Sequence, residues 1–265
     1  MNKTSIDKQF GAFEDLGKQQ KEQKSMSTLR IDTRQSPIRT ITFDNPPGNL
    51  VNPEMILELQ QAVADVEADA SVRVVIFDSA DDQVFLGKYD LSRAADTPND
   101  SGPTGLPTWL DLTKRLTQLP VVSIAKIRGA TRGVGSEFAL ACDLRFASLE
   151  RAQIDQPEVS GRVVPGGGAI ARLPGLCGRG RTLEIILGST PLDGALADHY
   201  GVVNRSLPDR DLDAFVDELA TRIAGFDSQA IRESKALIDA ETLPDNQQLL
   251  DPYKAFFGSV ARLAS

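Results

Sequence analysis

From Leu29 onward, apolar and polar positions fall into two alternating rhythms. The stretches "LRIDTR" and "IRTITFD" alternate with period two around "QSP", which predicts two paired strands. After the loop "NPPGNLVN", Pro53 stands at a favourable first-turn position for a helix through "EMILELQQAVADVEAD". "VRVVIFDS" is a continuous apolar run and predicts a buried strand, after which "ADDQVFLGKYDLS" leads the chain out of the sheet. "RAADTPNDSGPTGLP" has no period and is expected to be a mobile surface loop. A helix "TWLDLTKRLTQL" then ends at Pro120, and "VVSIAKI" and "LRFAS" read as further strands. Helices are expected at about 178–187 and 191–200, with "GVVNRSL" as a late strand. Three helical segments, "DLDAFVDELATRIAGF", "SQAIRESKALIDAE" and "NQQLLDPYKAFFGSVARLA", close the sequence. Strands alternating with helices, then helices alone, predict an α/β fold with a helical extension.

Composition narrows the setting. The 265 residues are 41% hydrophobic and 25% charged, as in soluble globular chains, and can bury a sizeable core. A net charge of −8 disfavours nucleic acid or an anionic membrane as the main partner. No apolar run approaches the roughly 18 residues of a membrane span. Cys142 and Cys177, both in apolar surroundings, make no disulfide framework, which points to a reducing cytoplasm. Residues 1–27 are expected to form a disordered leader, with Met26 as an alternative start.

Several chemistries are disfavoured by what the chain lacks. His199 is the single histidine, expected on a helix surface, and no G-x-S-x-G presents a nucleophilic serine. No zinc spacing and no phosphate-cradling glycine motif is present, so no metal site is expected. What remains is carboxylates beside exposed backbone amides. In "RGATRGVGSEFALACD" a helix starting near Val134 leaves its first N–H groups unpaired at the positive end of its dipole. Gly133 and Gly135 remove bulk there, so that a ligand oxygen could approach the backbone, which suits a developing oxyanion. Glu137 follows in the first turn; as a bare structural residue it would offset the dipole. In "VFLGKYDL" a strand exits through Gly87, where the amides of Lys88 and Tyr89 could face the same space. "QPEVSGRVVPGGG" adds Glu158, twenty-one residues beyond Glu137, and two carboxylates can perform acid–base work without histidine.

Together, "FDNPPGNLVNPEM", "VVIFDSADDQVFLGKYDLS", "VVSIAKIRGATRGVGSEFALACDLRFAS", "AQIDQPEVSGRVVPGGGAIARL" and "DGALADHYGVVNRSLP" resemble the crotonase superfamily, the enoyl-CoA hydratase/isomerase family. The resemblance implies a ββα spiral core over about 28–205 and a helical, trimerising region over 206–265, shorter than usual. It also implies an acyl-CoA thioester substrate, coenzyme A being part of that substrate and no separate cofactor being needed, and assembly as a homotrimer or hexamer. The oxyanion donors would be the backbone N–H groups of Tyr89 and Val134. Glu137 and Glu158 would be the catalytic pair that adds water across a trans-2-enoyl-CoA. Gly166 would belong to the loop closing the water site.

The sequence departs from the family pattern in places. Gly87, Lys88, Tyr89 and Asp90 stand where A-G-A-D is usual, and Gly133, Val134, Gly135, Ser136 and Glu137 where G-G-G-C-E is common. Both changes keep the amides and alter what surrounds them. Arg128 replaces an Asn and Arg132 is an added cation; outward ion pairs are expected of both, with contact to a ligand phosphate or carboxylate as the alternative, and Arg162 replaces a glycine after Glu158. "NPPGNLVN" lacks the basic residue that relatives place against CoA phosphates, leaving Lys88 as a possible CoA contact. The C-terminal "FFGSVARLAS" replaces the family's E-G-x-x-A-F-x-x-K-R, and with it a contact to a neighbouring subunit's CoA site. Trp109, Phe256 and Phe257 are expected in the core or the acyl pocket. The alternatives to hydration are isomerisation, decarboxylation or thioester hydrolysis on the same scaffold, or binding of acyl-CoA or a protein partner without catalysis.

Overall fold

The structure, a computed structural model, describes residues 27–33 and 37–264. The expected leader therefore lies, up to residue 26, outside the described residues. The first two strands, β1 (Leu29–Asp32) and β2 (Ile38–Phe43), pair antiparallel with Leu29 opposite Phe43. Asn52 then caps α1 (Pro53–Ala68), its side chain accepting from Met55 N–H at 2.8 Å. Met55, Ile56, Leu59, Ala62, Val63 and Val66 recur every three or four residues and bury one face of that helix.

After α1 the chain enters a repeating path. Strands β3 (Val74–Ser79), β5 (Val122–Ile127) and β7 (Leu144–Ser148) join one sheet in parallel. The strand that follows each of them, β4 (Val84–Leu86), β6 (Ala130–Arg132) and β8 (Gln153–Asp155), joins a second sheet. Helices α2 (Thr108–Thr117), α3 (Val134–Ala141) and α4 (Ala169–Gly188) return the chain after each pair. The result is a ββα spiral. β9 (Leu192–Asp193), α5 (Gly194–Tyr200) and β10 (Arg205–Leu207) complete it. Among the described residues the strand orders are β1-β2-β3-β5-β7-β10 and β4-β6-β8-β9.

The core sits between the two sheets. Phe43 and Phe77 from the first sheet meet Phe85 of β4 and Phe138 of α3, with ring centroids 5.0–5.5 Å apart in edge-on contacts. Phe138 therefore locks α3 in place. The opposite face of the first sheet (Val74, Ile76, Ile124, Phe146) is covered by Leu212, Val216 and Ala220 of α6 (Asp209–Ala224). Charge holds the same contact, because Lys126 Nζ bridges Asp78 at 2.7 Å and Asp213 at 2.8 Å. Helix α7 (Ser228–Thr242) buries no residue, and Lys235 ties it to Asp143 at 2.6 Å. Helix α8 (Asn246–Ala264) follows.

Three expectations change. The segment 93–107 is anchored rather than loose: Leu91–Asp96 is a 3₁₀ turn, and the fully buried Asp111 accepts Thr104 N–H at 2.8 Å and Thr104 Oγ1 at 2.7 Å. The helix expected from 178 is the second limb of α4, which starts at Ala169 and kinks at Gly178, where φ is +77°. The helix expected over 191–200 starts at Gly194, because Leu192–Asp193 pairs with β8.

Candidate active site

Two glycine turns meet where β4 ends and α3 begins. Gly133 takes φ +52° and ψ −120°, a conformation open to glycine and hardly to other residues. The first helical bond of α3 runs from Glu137 N–H to Gly133 C=O, 2.9 Å, so Val134 N–H lies outside the helical ladder. A Cβ on Gly135 would fall within 3.0 Å of the carbonyl oxygens of Leu86 and Gly87, so α3 rests directly on the end of β4. Gly87 is packed as tightly against Gly48. At that strand end Val51 N–H donates to Lys88 C=O at 3.1 Å and Asp90 N–H to Val51 C=O at 2.8 Å. Amides alternate in direction along an extended chain, so Tyr89 N–H faces away from Val51. The amides of Tyr89 and Val134 thus flank the Gly87–Gly135 contact. The expectation that Gly133 and Gly135 clear space for a ligand is changed in its physical cause: their nearest neighbours are protein groups, Glu158 Oε1 at Gly133 and the β4 carbonyls at Gly135.

Glu137 is 3% exposed and does not serve its own helix. Its Oε1 accepts Gly167 N–H at 2.8 Å and Ala169 N–H at 3.2 Å, at the N-terminus of α4. The carboxylate is therefore fixed between two helix starts. Burial still pushes its pKa up, to about 7, against the lowering effect of those N–H groups and of the Arg172 guanidinium. Glu158 follows β8 in the turn begun by Pro157, and its Oε1 lies against Gly133. Its Oε2 is buried without a hydrogen-bond partner. Burial raises its pKa first and the neighbouring charge of Glu137 second, to about 8. Two neighbouring carboxyl groups raised in this way exchange protons near neutrality. Arg162, three residues past Val159, takes φ +66°, a left-handed conformation that glycine adopts without steric cost and arginine does not.

The other expected residues scatter. Gly166 packs against Phe256 of α8, and it is Gly167 that touches Glu137. Lys88 is exposed beside the amide pair. Arg128 pairs with Asp209 and Asp213, each at 2.9 Å, and Arg132 lies 3.6 Å from Asp155. Trp109 is buried in the core, Phe256 is half-buried and Phe257 is exposed. His199 is exposed on α5. Among the described residues no cluster of His, Cys, Asp or Glu could hold a metal ion, and no helix is long and apolar enough to cross a membrane.

Pattern alone missed three contributors. The N-terminus of α4 supplies Gly167 and Ala169 N–H, and the run "GGGAIARL" was its available signal. Arg172, in the first turn of α4, is buried with Nε and Nη1 unpartnered, and burial pulls its pKa down to about 10 while the charge of Glu137 opposes the fall. Gln156 is buried with both amide atoms unpartnered, two residues before Glu158.

Residues 33–262 match the family model for enoyl-CoA hydratase/isomerase. YngF of Bacillus subtilis, provisionally named an enoyl-CoA hydratase/isomerase, is 32% identical over 200 residues, covering 75% of this chain and 76% of that protein. The short-chain-enoyl-CoA hydratase of Clostridium acetobutylicum is 27% identical, covering 78% and 79%. A crystal structure from Streptomyces avermitilis, provisionally described as an enoyl-CoA hydratase, superposes with a TM-score of 0.84 at 40% identity, covering 89% of this chain and 86% of that one. The spiral of two sheets, its carboxylate-bearing helix and these matches agree: the chain belongs to the enoyl-CoA hydratase/isomerase family of acyl-CoA-processing crotonase enzymes.

Proposed function

We propose that this enzyme adds water across the double bond of a trans-2-enoyl-CoA. The observation that carries the reading is the pair of the buried Glu137 and the half-buried Glu158, both held above the usual carboxylate range, with Glu137 bonded to the N-terminus of α4 and Glu158 lying against Gly133. At neutral pH such a pair holds about one proton, so one member accepts a proton while the other donates one. In the reaction, water loses a proton to the ionised carboxylate as its oxygen bonds to C3. The C2–C3 π pair moves toward C2 and the thioester carbonyl, whose oxygen becomes an enolate oxygen between the N–H groups of Tyr89 and Val134. The protonated carboxyl then delivers its proton to C2, giving the 3-hydroxyacyl-CoA. Preorganised N–H donors of this kind contribute most of such a barrier reduction, about 10²–10³ in rate for each donor. Lys88, exposed at the rim, is suited to a CoA phosphate.

The assembly is a homotrimer or a dimer of trimers in this reading, joined through the apolar surfaces of the C-terminal helices. Crotonyl-CoA decides the reaction. Hydration removes the enoyl-thioester absorbance, whereas a 3-enoyl-CoA gaining that absorbance would mark isomerisation instead. Glu137→Gln and Glu158→Gln each lower kcat by roughly 10²–10⁴. An unchanged rate in either variant removes that residue from the mechanism.

A further inference from the structure

Trp109 is the chain's one tryptophan, in the first turn of α2, and its ring packs among core side chains with its centroid 6.4 Å from that of Phe138. The ring accounts for its burial. The indole N–H is not accounted for: Nε1 is buried and has no acceptor among the described residues. An indole nitrogen can only donate, and a buried donor without an acceptor is rare because it forfeits its hydrogen bond to water.

Its surroundings give the direction. A Cβ on Gly167 would stand within 3.0 Å of both Trp109 Nε1 and Glu137 Oε2. Those two atoms, 2.1 Å and 2.6 Å from that one point, therefore face the same side of Gly167, less than 5 Å apart, and make no direct hydrogen bond to each other. Glu137 Oε1 is occupied by Gly167 and Ala169 N–H, so Oε2 is the oxygen turned toward the indole. One oxygen atom bonded to both groups at about 2.9 Å fits such a gap. A buried water needs two to four polar partners, and the indole donor and the carboxylate acceptor are two of the right kinds.

We propose that Trp109 Nε1–H orients the reacting water against Glu137 Oε2. The proposal rests on the hydration reading above and assigns it a further residue. The water accepts the indole N–H at one lone pair and gives one proton to the carboxylate. Its other lone pair is left to form the bond to C3. Orientation rather than charge is what the indole supplies, so its loss lowers turnover more than binding.

The test uses Trp109→Phe, which keeps an aromatic ring and deletes the donor. The expected result with crotonyl-CoA is a kcat lower by about 10- to 100-fold with KM changed less than threefold, while thermal melting stays close to wild type. A kcat equal to wild type overturns the proposal while leaving the hydration reading standing on the glutamate variants. Because Trp109 is the only tryptophan, its emission is a second readout that needs no turnover. Between pH 5 and 9 the wild-type emission should titrate with the carboxyl pair, and Glu137→Gln should remove or displace that transition. Glu158 and Arg172 bear on Glu137 from the turn after β8 and from α4, so Glu158→Gln should shift the midpoint without flattening the curve. Identical emission profiles in wild type and Glu137→Gln overturn the proposal even if the Phe variant fails to fold. Absence of hydration in the wild type, with the emission transition intact, would instead reject the reaction and keep the indole–carboxylate contact.

Discussion

Glu137 has a cost that its position makes measurable. Burial raises its pKa above the unfolded value, so the fold prefers the protonated carboxyl. That preference contributes stability fully below the unfolded value, near pH 4.5, and the contribution is lost as pH rises through about 7. Glu137→Gln cannot ionise, yet its amide oxygen can still accept Gly167 and Ala169 N–H. The variant should therefore match wild type near pH 4.5 and exceed it by about 2–3 kcal/mol at pH 9, since a tenfold change in proton affinity corresponds to about 1.4 kcal/mol. Urea titrations at the two pH values check this; a variant less stable than wild type at pH 9 would contradict it. The same titration shapes the rate. The proposed hydration uses one ionised and one protonated carboxyl, so kcat should follow a bell with its maximum between about pH 7 and 8, rising as the first proton leaves and falling as the second does. A rate still climbing at pH 9.5 would show that no protonated carboxyl takes part.

At the scale of elements, the proposed oxyanion site depends on how closely α3 lies on β4. Gly135→Ala would drive a Cβ into the carbonyl oxygens of Leu86 and Gly87, which are backbone and cannot turn aside. The expected outcome is a loss of about 1–3 kcal/mol in stability, and a fall of roughly 10²-fold in kcat/KM as the two amides part. Val134→Ala leaves the amide in place and should keep kcat within a few-fold, which separates the backbone role from the side chain. Much of this was legible in the residues: the Gly87 exit, the Gly133–Glu137 start and Glu158 were all found from the chain alone, as was the strand–helix alternation. The N-terminus of α4 was not. Pro165, Pro174, Gly175 and Gly178 break the helical period there, and the helix start is fixed by the carboxylate of Glu137, thirty residues earlier. Trp109 illustrates a second limit, because period locates an apolar ring and says nothing of whether its N–H finds an acceptor. The anchored 93–107 segment is a third, since its tie is Asp111, whose burial on α2 a charged residue does not announce.

At the scale of the molecule, the two last helices carry too much exposed apolar surface for a chain working alone. Leu237 is 72% and Ile238 61% exposed on α7, a fifteen-residue helix that buries none of its residues, and Phe226 just before it is 56% exposed. On α8, Phe257, Val260 and Leu263 recur every three residues and form an exposed stripe on one face. A helix held to its own chain by a buried-side ion pair, Lys235 with Asp143, while turning its apolar residues outward is built to meet another surface. Copies of the same chain are the proposed occupant, and a closed ring of three hides each such patch against its neighbour without leaving an open end. Light scattering on the purified protein should give three or six chain masses. Leu237→Asp with Ile238→Asp places two charges in the contact and should release monomers that keep their circular dichroism, because neither side chain supports the chain's own core. A wild-type monomer at micromolar concentration would refute the assembly, and so would a double variant that still migrates as the wild-type oligomer. Comparing kcat in the released monomer with kcat in the intact protein then separates a structural interface from one that completes the acyl-CoA site: the Glu137–Glu158 pair and both amides lie within one chain, so chemistry should persist while KM for the CoA thioester rises.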